Sequence, residues 1–167
     1  AKQINGKYLC SYRIDTLICP SEIRDEVRIS GGVEKYYPTN IGWNRGTGQI
    51  LPAKGVGANG PFGVNFKGKP RDMRDGLSNT LAAGEKKAYQ PYKRDGGALS
   101  AVPALTAKAT SNTTGSQKDN SGNTEWCDGR THQDGLTTTY PPGSVTPNST
   151  DFPDGDFTSQ REGKGSN

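Results

Sequence analysis

Large aliphatic and phenylalanine side chains are too scarce in this chain to fill an ordinary protein interior. Leu, Ile, Val and Phe together contribute 25 of the 167 residues, below the roughly 20% at which chains stop burying enough apolar surface to offset the entropy of ordering. Gly 23 and Pro 11 add a high content of turns. Seven Tyr and two Trp pull the other way, because large amphipathic rings are anchors that disordered segments rarely carry. The combination describes one ordered, loop-dominated domain over residues 1–167 that takes part of its apolar cover from another surface.

The formal charge of +4 and the pI near 9.0 raise the question of nucleic acid. The basic residues are scattered and interleaved with acids, as in "EIRDEVR" at 22–28, which reads as a solvated mixed-charge surface rather than a phosphate-tracking stripe. No nucleic-acid partner is expected. The sequence begins at Ala1 and holds neither an apolar leader nor a run of about 18 apolar residues. With the thin core, this favours a processed or excised piece of an exported protein over a cytosolic one. Cys10, Cys19 and Cys127 allow one disulfide with one thiol left over, and no C-x-x-C pair exists to build a zinc site. One bridge plus one orphan suits an exported fragment.

Along the chain, "KYLCSYRIDTLIC" at 7–19 reads as an extended or short helical lead-in stopped by Pro20. Ser21 can cap a helix of at most about two turns before Gly31-Gly32. "VEKYYPTNIGWN" at 33–44 is rich in aromatic and β-branched residues and broken by Pro38, as in an edge strand or strand pair. A glycine-studded stretch follows, with "FGVNF" at 62–66 as a short strand. At 75–85, Asp75 can accept from N–H groups two or three residues on, Gly76 relaxes the backbone, and Leu77 and Leu81 share one face of a single helical turn. A strand through Leu81, Ala83 and Glu85 comes next. Residues 98–124 are small and hydroxyl-rich without periodicity and read as a surface loop, and 137–155 as a Thr/Pro-rich loop.

Trp126 is a candidate core anchor, and the Asp-Gly pairs at 128–129 and 134–135 are turn signals. His132 between them reads as a hydrogen-bonded packing residue, because spacing fixes no second ionisable partner for general-base duty. A nucleophile built from Asp75, Ser78 and Glu85 lacks a G-x-S-x-G elbow and a nearby His, so a structural role is expected there. Asn112, with Thr113 and Thr114, and Asn148 sit in N-x-S/T contexts and are candidate glycosylation sites. Asp151, Asp154 and Asp156 surround a Gly-containing turn and could converge hard oxygen ligands on calcium, although the spacing is not that of an EF-hand. No other cofactor is expected.

Four blocks, in order, carry a family likeness: "CPS" (Cys19, Pro20, Ser21), "DGLSNTLAAGE" at 75–85 (with Asp75, Gly76, Ser78, Asn79, Thr80 and Glu85), "EWCDGRTHQDGLTTT" at 125–139 (with Trp126, Asp128, Gly129, Arg130 and His132), and "DFTSQREG" at 156–163. Together they resemble the DUF1559 family, once labelled a solute-binding family, along essentially the whole chain. The resemblance implies a pilin-like or pseudopilin-like protein. Family members begin with a prepilin leader and a long apolar helix and end with H-P-G-G-V-N and D-G-S-V-R-F blocks; neither end is in this sequence. The resemblance also implies that the cysteine of "CPS" has its partner near the end of that helix, which leaves Cys19 as the orphan and Cys10 with Cys127 as the candidate pair.

The expectation is therefore an α+β, pilin-like globular head with a small antiparallel sheet and long irregular loops, its N-terminal helix and C-terminal block missing from the chain. As a function it implies a non-enzymatic structural subunit of an extracellular filament or type II secretion-like pseudopilus. Its partners would be copies of itself and surface glycans, with membrane contact only through the missing helix. The alternative is a surface carbohydrate- or solute-binding module that stacks ligands on Trp43, Trp126 and nearby Tyr residues. A third reading, a hydrolase using His132 with Asp128 or Asp134, has no catalytic motif behind it.

Overall fold

The computed structural model describes residues 2–47, 50, 59–63, 67–94, 116–144 and 156–157. The chain is α+β, built mostly of short strands with little helix. Strands β1 (Gln3–Ile4) and β2 (Lys7–Tyr8) form a hairpin. Its turn is Asn5-Gly6, both at positive φ (51° and 77°), the left-handed pair that two-residue hairpin turns require. A second hairpin joins β3 (Arg28–Ser30) to β4 (Val33–Tyr36) through Gly31-Gly32. β5 (Ile41–Asn44) is central in a three-stranded sheet, antiparallel to β6 (Ala83–Glu85) and parallel to β9 (Gly135–Leu136). β7 (Gln90–Arg94) is central in another, antiparallel to β8 (Ser116–Gly122) and parallel to β10 (Asp156–Phe157). A single helical turn, α1 (Thr131–Asp134), leads into β9.

Several expectations change. The single antiparallel sheet becomes, among the described residues, four small sheets, two of them mixed. Ser21 caps no helix: Pro20 sets a tight turn closed by the Glu22 N–H to the Cys19 carbonyl at 3.0 Å. The lead-in at 7–19 is strand β2 followed by two short 3-10 turns, Leu9–Ser11 and Asp15–Leu17. Within the supposed loop at 98–124, Ser116–Gly122 is a strand because β7 supplies a pairing edge, and residues 98–115 lie outside the described residues. Pro91 falls where the β7–β8 register shifts, so its missing N–H costs little. Asp134-Gly135 is no hairpin turn but the junction of α1 and β9.

The interior matches the apolar shortage. Among the described residues, the buried apolar side chains are Ile18, Pro38, Ala88, Tyr89 and Tyr92, against nine buried polar ones that include Asn40, Asn123, His132 and Gln133. Large apolar groups face outward instead, with Ile23 94% exposed and Ile29, Leu77 and Leu81 more than half exposed. A disulfide joins Cys10 to Cys127, the pair that the resemblance implies, and leaves Cys19 as a thiol. Around the disulfide, Tyr37 N–H donates to the Cys10 carbonyl at 2.7 Å, Trp126 N–H to the Tyr37 carbonyl, and the Trp126 indole to the Tyr12 carbonyl at 3.0 Å. The N-terminal segment is thus strapped to the block around Trp126. Among the described residues no helix is long and apolar enough to cross a membrane.

Candidate functional site

Residues 121–134 fold around one side chain. Gln133, 1% exposed, accepts through Oε1 from the N–H groups of Thr124 (2.8 Å) and Glu125 (3.1 Å) and donates through Nε2 to the Ser121 carbonyl (2.9 Å). A buried N–H without a partner costs about 1–3 kcal/mol, so one amide satisfies what the irregular backbone leaves open. Beside it, the His132 ring lies 4.6 Å from the Tyr92 ring, and the His132 carbonyl accepts from Asn123 N–H. Both rings are buried.

A second polar cluster links this block to the strands. Asn40 donates to the Lys86 carbonyl (2.9 Å) and to the Glu22 carboxylate (2.5 Å), and its Oδ1 accepts from Cys19 N–H. Glu22 also accepts from the N–H groups of Ala88 and Arg24. Burial pushes its carboxyl up, but the hydrogen bonds from Ala88, Arg24 and Asn40 outweigh it and hold it below the ordinary value. Lys86 Nζ donates to Asn123 Oδ1 at 2.9 Å and to the Gln133 carbonyl at 2.5 Å. Asn123 in turn donates from Nδ2 to the Lys87 carbonyl at 2.7 Å.

Two arginines bind the carboxylates of the block. Arg28 reaches Glu125 Oε1 at 2.6 Å and the Thr124 hydroxyl at 3.0 Å. Arg130 faces Glu125 Oε2 at 3.6 Å and grips Asp128, whose Oδ1 accepts from Arg130 N–H. Burial raises Glu125 and outweighs Arg28, whereas burial of Asp128 is overcome by Arg130, which lowers it. Each carboxylate oxygen of the pair faces an arginine or a backbone N–H, an arrangement that holds β3 against the block. On its far side, Arg45 pairs with Asp134 at 2.8 Å and donates to the Phe62 carbonyl at 2.6 Å. Burial raises the Asp134 carboxyl despite Arg45.

Arg45 thereby fixes an aromatic surface. Trp43 and Phe62, 39% and 38% exposed, have ring centroids 5.1 Å apart at an interplanar angle of 49°. Trp43 stands between Ala83 on β6 and Gly135 on β9, two small neighbours that leave its sheet face unshadowed.

The sequence-predicted residues divide into three groups. Of the residues in the 121–134 block, Asp128 and Arg130 pair with each other, Trp126 bonds to Tyr12 and Tyr37, and His132 lies against Tyr92. Asp75, Gly76, Ser78 and Asn79 are exposed and form a separate turn with Thr80: the Asn79 amide donates to the Asp75 carbonyl at 2.8 Å and the Thr80 hydroxyl to the Gly76 carbonyl at 3.0 Å. The cap of the 3-10 turn Leu77–Asn79 is Gly76, with no side-chain bond, in place of the Asp75 side chain. Leu77 and Leu81 are exposed rather than core. Glu85 lies exposed in β6. Cys19 Sγ lies 3.1 Å from the Ser21 hydroxyl, in the turn made by Pro20. Asn112, Thr113, Thr114, Asn148, Asp151 and Asp154 lie outside the described residues, and Asp156 is described only as backbone of β10. Phe62 and Gly63 are not strand, and 64–66 fall outside. Among the described residues no cluster of His, Cys, Asp and Glu could hold a metal ion.

Sequence reading missed Glu22, Arg28, Asn40, Lys86, Asn123 and Gln133. Glu22 and Arg28 belong to "EIRDEVR", whose mixed charge predicts a solvated surface; both turn inward because the apolar-poor interior offers polar partners. The apolar deficit was the available signal, since an ordered chain without aliphatic residues must bury hydrogen-bonded polar ones.

A family model described as "Protein of unknown function (DUF1559)" matches residues 1–167. No curated protein and no solved structure matches the chain.

Proposed function

We propose a structural role for this chain, which belongs to the DUF1559 family over residues 1–167: a non-enzymatic, pilin-like head in an extracellular filament or secretion-type pseudopilus. The observation that carries the reading is the inverted distribution of side chains. The interior is held by polar bonds, while Ile23, Ile29, Leu77 and Leu81 face outward, surface that neighbouring copies would cover. The Cys10–Cys127 disulfide supports export to an oxidising compartment. In this reading the polar block is scaffold, and its carboxylates serve the arginines rather than a substrate. Immunogold labelling of producing cells with an antibody to this head is expected to decorate filaments outside the envelope. Label confined to the cell interior contradicts the reading.

A second reading is favoured by one observation, the exposed Trp43–Phe62 pair. The Trp43 ring, beside small residues and flanked by the tilted Phe62 ring, offers an apolar face on which a sugar ring stacks. In a calorimetric titration against a panel of oligosaccharides, this reading expects binding that Trp43→Ala abolishes; no heat from any sugar removes it.

A further inference from the structure

We propose that Lys86 and Asn123 are the two halves of an intramolecular isopeptide bond that the folded chain forms on itself. Lys86 Nζ lies 2.9 Å from Asn123 Oδ1, so the amine already touches the carboxamide it would attack. The amide cannot turn away. Its Nδ2 is held by the Lys87 carbonyl at 2.7 Å, which directs the carbonyl side toward Lys86 and leaves the NH2 as the group to be expelled. The amine is fixed as well, by the Gln133 carbonyl at 2.5 Å, and the Lys86 backbone is bonded on both sides to Asn40. The lysine stem reaches the site across Gly42, where an added Cβ would stand 3.1 Å from Lys86 Cδ. Asn123 is 3% exposed, and Asn40 and Gln133 beside it are also buried.

Holding two reactants in such contact replaces a bimolecular encounter and so removes part of the barrier to amine attack on an amide, the rest of which comes from the unreactive carbonyl and the poor nitrogen leaving group. In the reaction the Nζ lone pair forms a bond to Asn123 Cγ, the Cγ–Nδ2 bond breaks, and the lysine ammonium plus the carboxamide become a secondary amide plus ammonium. No oxidant, reductant or activated co-reactant is required. The proton that leaves Nζ has to reach the departing Nδ2. Asp134, adjacent to Gln133 in sequence, paired with Arg45 and within electrostatic range of Lys86, is the carboxyl we assign to that transfer. The bond would tie the end of β6 to the end of β8, and it does not depend on the filament reading.

The test is the mass of the whole folded chain after purification, reduced and denatured. The expected result is a mass lower than that of the sequence by one ammonia, with a tryptic branched peptide joining Lys86 to Asn123 and no cleavage after Lys86. Lys86→Arg, which keeps the charge but cannot form the amide, is expected at full mass. A wild-type chain at full mass overturns the proposal without reference to any variant. So does an ammonia loss that maps to a succinimide at Asn5-Gly6 or Asn59-Gly60, which gives no branched peptide.

Discussion

Gln133 shows at residue scale how a chain poor in aliphatic residues stays ordered. Its one carboxamide serves three backbone groups, so Gln133→Ala leaves the buried Thr124 and Glu125 N–H groups unpaired, while the Ser121 carbonyl keeps the Thr124 hydroxyl. The expected cost is about 2–4 kcal/mol, read as a fall in the urea midpoint with little change in slope. Glu22 makes a comparable claim through pH. Its folded pKa lies below the unfolded value because backbone N–H groups stabilise the charged form. Its contribution is therefore present above the unfolded pKa of about 4.3 and is lost as the pH falls through the folded one. Glu22→Gln is expected to lower stability at neutral pH and to flatten the acid limb of the stability curve; an acid limb parallel to wild type contradicts this. Neither residue is legible in sequence. A buried Gln or Glu carries no periodicity, and its partners sit in turns whose positions are set only once the chain has folded.

Among the elements, the β6–β5–β9 sheet depends on two glycines. Gly42 and Gly84 face each other across β5 and β6, and a Cβ on either would stand 3.1–3.2 Å from Leu136 atoms. Leu136 packs into the slot they leave. Gly84→Val is expected to cost about 1–3 kcal/mol through overpacking, measured by thermal unfolding, whereas an exposed change such as Gly129→Ala, with open space around it, is expected to be neutral. The strands at 33–36, 41–44 and 83–85 were visible in the sequence because β-branched and aromatic residues or a preceding turn marked them. β8 was not: "SQKDNSG" has low β propensity, and its strand comes from pairing with β7, a tertiary effect that overrides local preference. The β1–β2 hairpin carries its own signal in Asn5-Gly6, the dipeptide of a two-residue turn.

For the whole molecule, the disulfide and the polar block take the place of a large apolar core. Cys10 and Cys127 are 117 residues apart in sequence, so their bridge closes most of the chain into one loop. Cys10→Ser is expected to lose about 2–5 kcal/mol, and reduction of the wild type to lower its melting temperature to the same level. A reduced wild type as stable as the oxidised protein contradicts that assignment. The thin core and the left-over thiol were evident in composition alone. What composition could not supply was the route by which polar residues fill the interior, or which apolar residues remain outside. Those outward groups make assembly the central claim. The measurement that tests it most directly is helical reconstruction of filaments from native material containing this chain. The account predicts repeating density for this head, with Ile23, Ile29, Leu77 or Leu81 against a neighbouring copy; discrete particles with all four facing solvent would contradict it.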